Sequence, residues 1–324
     1  MKKPAVSLPR QTPRKTTPPD VVITKRYEEI LQAVYTYRFV TAIDIARLFF
    51  SPTTINHSRE ILSLLSGKQD YAERHYLYRF PLPNTRIGGT EKIYTLGSQG
   101  RAYLQSQGMS VDWYFRPYKV AGMTYQNCLH ALTLTRFLVA AHVFVKQHPE
   151  WELTTLRTEY ELKKELAEEK AKQQAATITF NATSSKEAET VTVIPDSWLL
   201  FQKHNKKKDS VYPVFLEIDR ASEQQKYFKR QVRARALFVT NGGYTKLFGT
   251  NKGVIAYATT GNQTRVDSMR KWTQDVLAEL NLKKLTSRFL FCNLMPSWEQ
   301  DTTRLFLSPL WYKAGQKSGG TLLA

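Results

Sequence analysis

The sequence predicts a mixed α/β protein, α+β overall, in two folded parts. Residues 27–104 pass from helical to alternating periodicity and back to helical. Residues 191–196 (Val-Thr-Val-Ile-Pro-Asp) and 211–220 are β-branched, aromatic-rich runs that end in carboxylates, and helical segments flank them. The length of 324 residues is more than one core usually holds, so two domains are expected.

Residues 1–22 carry Pro4, Pro9, Pro13, Pro18 and Pro19 among Lys, Arg and Thr, a flexible basic arm with nothing to bury. From Tyr27 the period is helical, with Tyr27, Ile30, Leu31, Val34 and Tyr35 on one stripe. Residues 41–49 predict a short second helix, with Thr41 as N-cap and Asp44 three residues on, close to a capping box. A third helix starts near Ser51-Pro52-Thr53, where Ser then Pro suit the N-cap and first helical position, and it buries Ile55, Ile61, Leu62 and Leu65. Residues 76–80 and 91–96 then alternate as strands about a turn-rich segment, 81–90, before helix returns at 97–104. Three helices, a two-stranded ribbon and a closing helix make a winged helix-turn-helix over residues 23–115. The run Ile93-Tyr-Thr-Leu-Gly-Ser-Gln-Gly100-Arg resembles the wing-to-helix junction of many such domains. In that arrangement Thr53, Thr54, Asn56, His57 and Arg59 of the third helix face the DNA major groove. Arg79, Arg86 and Lys92 lie on or beside the wing and touch the phosphate backbone. The competing use of the fold is protein contact, and basic residues on both reader elements weigh against it.

Residues 116–126 read as a linker. A long helix from about Asn127 to Gln147 is apolar on most sides, hence buried, and its His130 and His142 fit core or interface positions better than ligand positions. Residues 151–160 predict a strand carrying Glu159, and the polar residues 161–190 an exposed helix or partly disordered insertion. The two acid-bearing strands follow, joined by a lysine-rich turn at 204–209, with Glu217 and Asp219 on one face by alternation. In the next helix, 222–239, Tyr227, Phe228, Val232 and Phe238 turn inward. Lys226, Lys229, Arg230 and Arg233 form a cationic stripe within reach of the acid-bearing strand end, and Lys229, Arg230 and Arg233 are expected to contact DNA. A strand at 253–258, a helix at 263–280 and a strand at 288–293 complete an α/β domain over 127–312. Residues 303–309 add an edge strand, and the chain ends in a flexible tail, 313–324.

Lys and Arg number 47 against 28 Asp and Glu, for a net charge of +19 and a pI near 9.8. Such a chain favours a polyanion, because each neutralised phosphate releases counterions, so DNA is the expected partner. The longest apolar run, 137–145, is too short to cross a bilayer, no apolar leader opens the chain, and no membrane partner is expected. Cys128 and Cys292 have no metal-ligand spacing, which argues against a disulfide scaffold or zinc finger and fits a reducing cytoplasm.

The order helix, strand, strand, strand, helix, strand, with acids at Glu159, Asp196 and Glu217, resembles the restriction-endonuclease-like PD-(D/E)xK nuclease fold (αβββαβ). Pro195-Asp196 and Glu217-x-Asp219 stand where that family's motif stands. Residues 25–300 are also similar to bacterial plasmid replication-relaxation proteins. Leu129-His130, Ile194-Pro-Asp-Ser197 and Phe215-Leu-Glu-Ile-Asp-Arg-Ala-Ser222 carry that similarity. It implies a plasmid or mobile-element protein acting in replication or transfer, with a replication or transfer protein and a second copy of the chain as further partners. An active nuclease would hold Mg²⁺ or Mn²⁺ on Asp196, Glu217 and Asp219. Glu159 would complete the shell or orient water, and Lys226 would stabilise charge on phosphorus. One departure stands out: the nuclease triplet ends in Lys, and here Asp219 takes its place, which makes Lys226 the substitute. The alternatives are a degenerate nuclease domain, with Asp219 in a structural salt bridge to Arg220 or Lys226, and an adaptor that recruits another enzyme.

Overall fold

The computed structural model of the protein describes residues 21–51, 54–67, 75–82, 91–111, 123–168, 176–181, 188–293, 302–316 and 318–323. Thr53, Arg86, most of the expected linker and nearly all of the basic arm lie outside the described residues. The chain divides into two compact units, Met1–Tyr125 and Gln126–Ala324.

The first unit runs α1 (Lys25–Tyr37), α2 (Ala42–Phe49), α3 (Ile55–Ser66), β1 (Leu77–Pro81), β2 (Lys92–Leu96) and α4 (Ser98–Ser106). Ile30, Leu31 and Val34 of α1 are fully buried, as its apolar stripe requires. At the start of α2 the Thr41 amide and hydroxyl both donate to Asp44 Oδ2, at 2.9 and 2.8 Å. Asp44 has no exposure, so Asp44→Ala would strand two buried donors. We expect it to cost the first unit about 2 kcal/mol in denaturant unfolding. The start of α3 differs from expectation, since Thr54 rather than Ser51 is the N-cap. The Thr54 amide and hydroxyl donate to the Ser51 carbonyl at 2.9 and 2.7 Å, a turn that moves the N-cap three residues along the chain.

Strands β1 and β2 pair antiparallel from Leu77↔Leu96 to Pro81↔Lys92, and a bridge from Val40 to Tyr94 ties the ribbon to the α1–α2 connection. The ribbon returns into α4 through Gly97 and Gly100. A Cβ at Gly97 would lie 2.1 Å from the His75 carbonyl oxygen, and one at Gly100 would lie 2.2 Å from that of Tyr76. Close approach of two backbones therefore explains both glycines.

The second unit opens with α5 (Tyr125–Gln147), followed by β3 (Trp151–Thr158), α6 (Glu159–Glu168) and a hairpin of β4 (Thr177–Asn181) and β5 (Ala188–Thr192). Then come β6 (Ser197–Lys203), β7 (Ser210–Asp219), α7 (Gln225–Thr240), α8 (Gly243–Phe248), β8 (Val254–Thr259) and α9 (Gln263–Glu279). A 3₁₀ turn, β9 (Phe289–Cys292), α10 (Thr302–Leu307), β10 (Trp311–Lys313) and β11 (Gly319–Gly320) complete it. Seven strands form one mixed sheet in the order β11-β10-β9-β8-β7-β6-β3, with β7, β8 and β9 parallel. On one face Phe137 and Phe144 of α5 meet Phe306 and Trp311, and on the other Phe215 and Tyr257 meet Tyr244 and Phe228. Helix α5 is long and apolar enough to cross a membrane by length and composition, longer than the 137–145 run suggests. Its Phe137, Leu138, Val139, Ala140, Ala141 and Phe144 are instead buried within the protein.

Four expectations change. Residues 191–196 do not form a strand of the main sheet: β5 ends at Thr192, and Pro195, with no N–H to offer a ladder, sits in the connection to β6. The expected polar insertion contains α6 and the β4–β5 hairpin, whose Ile178 and Val191 are buried. Residues 303–309 are helical at α10, and the edge of the sheet is β10 with β11, of which β11 lies inside the 313–324 stretch expected to be a flexible tail. Burial of Trp311 and Leu323 and a hydrogen bond from the Leu323 amide to the Phe306 carbonyl fix that stretch. Tyr227, expected to turn inward, is 48% exposed.

Candidate functional site

Two sites emerge, one in each unit. In the first unit, a groove of about 490 Å³ lies between α3 and the ribbon, and Arg59, Arg79 and Lys92 all line it. The helix supplies Arg59 and each strand supplies one further cation, so sequence-distant charges meet because the ribbon folds back beside α3. Asn56 Oδ1 accepts from Arg59 at 2.9 Å and steadies it, while Arg79 reaches the Ser63 hydroxyl at 3.4 Å. Burial raises the Tyr94 hydroxyl above its usual range, while Arg79 and Arg59 pull it back, which registers both guanidinium groups beside that ring. Glu91 is the acid among the described lining residues. Thr54 is occupied as the N-cap, and His57 packs edge-on against Phe50 at 5.0 Å, so neither joins the groove.

In the second unit, the register Thr158↔Ser197, Ser197↔Leu216 and Asp219↔Thr259 brings the ends of β3, β7 and β8 and the start of β6 to one end of the sheet. Glu159, Asp196, Glu217 and Asp219 all line a cavity of about 580 Å³ there. The carboxyl ends of parallel strands are where open α/β sheets usually place ligands.

Each acid is separately engaged. Glu159 opens α6 rather than ending a strand, because Thr158 donates through its amide and hydroxyl to Glu161 and so caps the helix. Its Oε1 pairs with Lys163 at 2.5 Å. Asp196 Oδ2 accepts the Ile218 amide at 2.7 Å, and Oδ1 faces His130 Nε2 at 3.5 Å. Burial pulls the His130 imidazole down, but Asp196 outweighs it, so the net shift is upward.

Glu217 takes Arg235 through Nε at 2.8 Å and Nη2 at 2.5 Å, both side chains being nearly buried. Burial pushes the Glu217 carboxyl up to about 8 against the pull of Arg235, with Asp196 and Glu159 adding to the push. Arg235 loses hydration too, but Glu217 and the nearby Tyr257 and Tyr244 hold it in the charged form. The pair pulls in opposite senses because one guanidinium returns less to the acid than burial removes.

Asp219 pairs with neither Arg220 nor Lys226. Arg265 grips it from α9, Nη2 to Oδ1 at 2.7 Å and Nε to Oδ2 at 3.0 Å, and the Thr259 hydroxyl adds a 2.6 Å bond. Lys226 is exposed on the first turn of α7 and does not line the cavity. Two other cations of its stripe point elsewhere, Lys229 to Asp275 at 3.0 Å and Arg233 to Glu279 at 2.5 Å, so they bind α7 to α9. Arg230 alone of that stripe lines the cavity.

These side chains do not fit a hard divalent cation. Guanidinium groups occupy Oε1 of Glu217 and both oxygens of Asp219, and Glu217 is pushed towards its neutral form. Among the described residues, no group of three or more His, Cys, Asp or Glu is placed to hold a metal.

A signal for Arg235 was present in the sequence: it follows Phe228 and Val232 at helical spacing on the buried stripe of α7, where an apolar residue would pack. A charge on such a stripe calls for a buried partner. Arg265 carried no comparable mark, since only tertiary folding sets α9 beside the end of β7.

No curated protein and no solved structure matches the chain. The model of the replication-relaxation family matches residues 31–254. That span runs from within α1 to the first residue of β8 and takes in the cationic groove and all four acids. The chain therefore belongs to the replication-relaxation family.

Proposed function

We propose that this replication-related protein binds DNA through its first unit, as part of plasmid or mobile-element replication or transfer. The observation that carries the reading is the meeting of Arg59, Arg79 and Lys92 around one groove, on a chain of net charge +19. The succession of three helices, antiparallel ribbon and helix supports a winged helix-turn-helix, with α3 as the reader element and the ribbon as the wing. A mobility-shift experiment with the full chain on duplex DNA tests it, and no shift at low salt removes the reading.

In the second unit, the reading is a nuclease-like scaffold whose acids serve ion pairs rather than hydrolysis. Arg235 stands on Glu217 and Arg265 on Asp219, where an active nuclease would place its metal. With Mg²⁺ or Mn²⁺, we expect supercoiled DNA to survive the full chain as it survives Asp196→Ala. Metal-dependent cleavage that disappears in Asp196→Ala and Glu217→Ala would establish the active alternative.

A further inference from the structure

We infer that the cavity at the sheet end of the second unit binds a phosphate group, held by Arg220, Arg230, His130 and Tyr257. The argument rests on which polar atoms there are satisfied. The four acids at the strand ends are answered by Lys163, by His130 with the Ile218 amide, by Arg235, and by Arg265 with Thr259. The donors are not. Tyr257 is 4% exposed and lines the cavity, yet its hydroxyl has no hydrogen-bond partner among the described residues. Arg230 Nε and His130 Nδ1, a donor once the imidazole facing Asp196 is protonated, are likewise buried without one among the described residues, and both side chains line the same space. Arg220, half-buried just after β7, also lines it and makes neither a hydrogen bond nor an ion pair among the described residues.

Buried donors left unmet are costly, and a ligand rich in acceptors answers several at once. A phosphate group is rich in acceptors and carries the charge that guanidinium groups match best. Glu223 is the one lining carboxylate without a side-chain partner, and it stands among Arg235, Arg265 and Arg230. The cavity thus keeps an excess of cations after its ion pairs are counted, and it lies where α/β sheets place ligands. The site is separate from the groove in the first unit and needs no metal.

The test uses the full chain carrying Arg59→Ala, Arg79→Ala and Lys92→Ala, so that binding in the groove of the first unit is strongly weakened. Calorimetric titration at matched ionic strength is run with inorganic phosphate and with a short single-stranded oligothymidylate. We expect saturable binding of at least one probe, weakened about tenfold by Tyr257→Phe, by Arg230→Gln and by Arg220→Gln. Tyr257→Phe removes one oxygen and leaves the core intact, so its melting temperature guards against loss of folding. Variant-sensitive binding of the oligonucleotide alone identifies a nucleic-acid backbone as the source, and of inorganic phosphate alone a free anion. No saturable binding of either probe, or affinities unmoved by all three substitutions, overturns the inference.

Discussion

Arg235→Met should cost the second unit about 3–5 kcal/mol at alkaline pH, where the buried Glu217 carboxyl is ionised and has lost its cation. The double variant Arg235→Met with Glu217→Leu should recover most of that loss, since replacing both partners by apolar groups leaves no stranded charge. Urea unfolding followed by tryptophan emission reads the effect, because Trp151, Trp198, Trp272 and Trp311 belong to this unit. The single variant should also be less damaged in acid than in alkali, as the stranded acid can take up a proton.

The same group sets a pH trend in the native protein. The folded carboxyl is pushed up to about 8 from an ordinary value of 4.5, so the folded state holds a proton that the unfolded chain releases within that window. Stability from this group is therefore full below 4.5, declines as pH rises and is lost above about 8. Arg235, Asp196, Glu159, Tyr257 and Tyr244 all face this group or its partner, and burial outweighs them. Glu217→Gln keeps acceptors for Arg235 without the titration, so its stability should be flatter across that window. Parallel profiles for the two proteins would count against the assignment.

Removing Arg59, Arg79 and Lys92 together should lower DNA affinity on the order of 100-fold at low salt. The loss should be nearly the same on unrelated duplex sequences, because cations that touch phosphates carry no base information. Arg59 and Lys92 are exposed and Arg79 is half-buried against Ser63, so alanine at these positions leaves the unit's core unchanged. A loss confined to one DNA sequence would instead place Arg59 on a base edge.

Much of the first unit was legible because its signals are local. Thr41 and Asp44 announce a capping box, and the ribbon alternates about a turn-rich segment. The second unit hid more. Alternation placed Glu217 and Asp219 on one face, and the four acids do share a cavity. Their partners were another matter: Arg235 lies 18 residues from Glu217, and Arg265 lies 46 from Asp219. Nearer cations, Arg220 and Lys226, looked like the natural partners, but Lys226 lies exposed on the first turn of α7 outside the cavity, and Arg220 lines the cavity without pairing with either acid. The β10–β11 edge was missed because its strands are three and two residues long, too short for any periodicity.

The salt dependence of DNA binding by the full chain tests the central claim most directly. Anisotropy titrations across a range of NaCl give the slope of log affinity against log salt for the native protein and the Arg59→Ala/Arg79→Ala/Lys92→Ala variant. Three lost phosphate contacts should make that slope shallower by about 2–3. An unchanged slope and affinity would show that DNA does not lie in the groove between α3 and the ribbon.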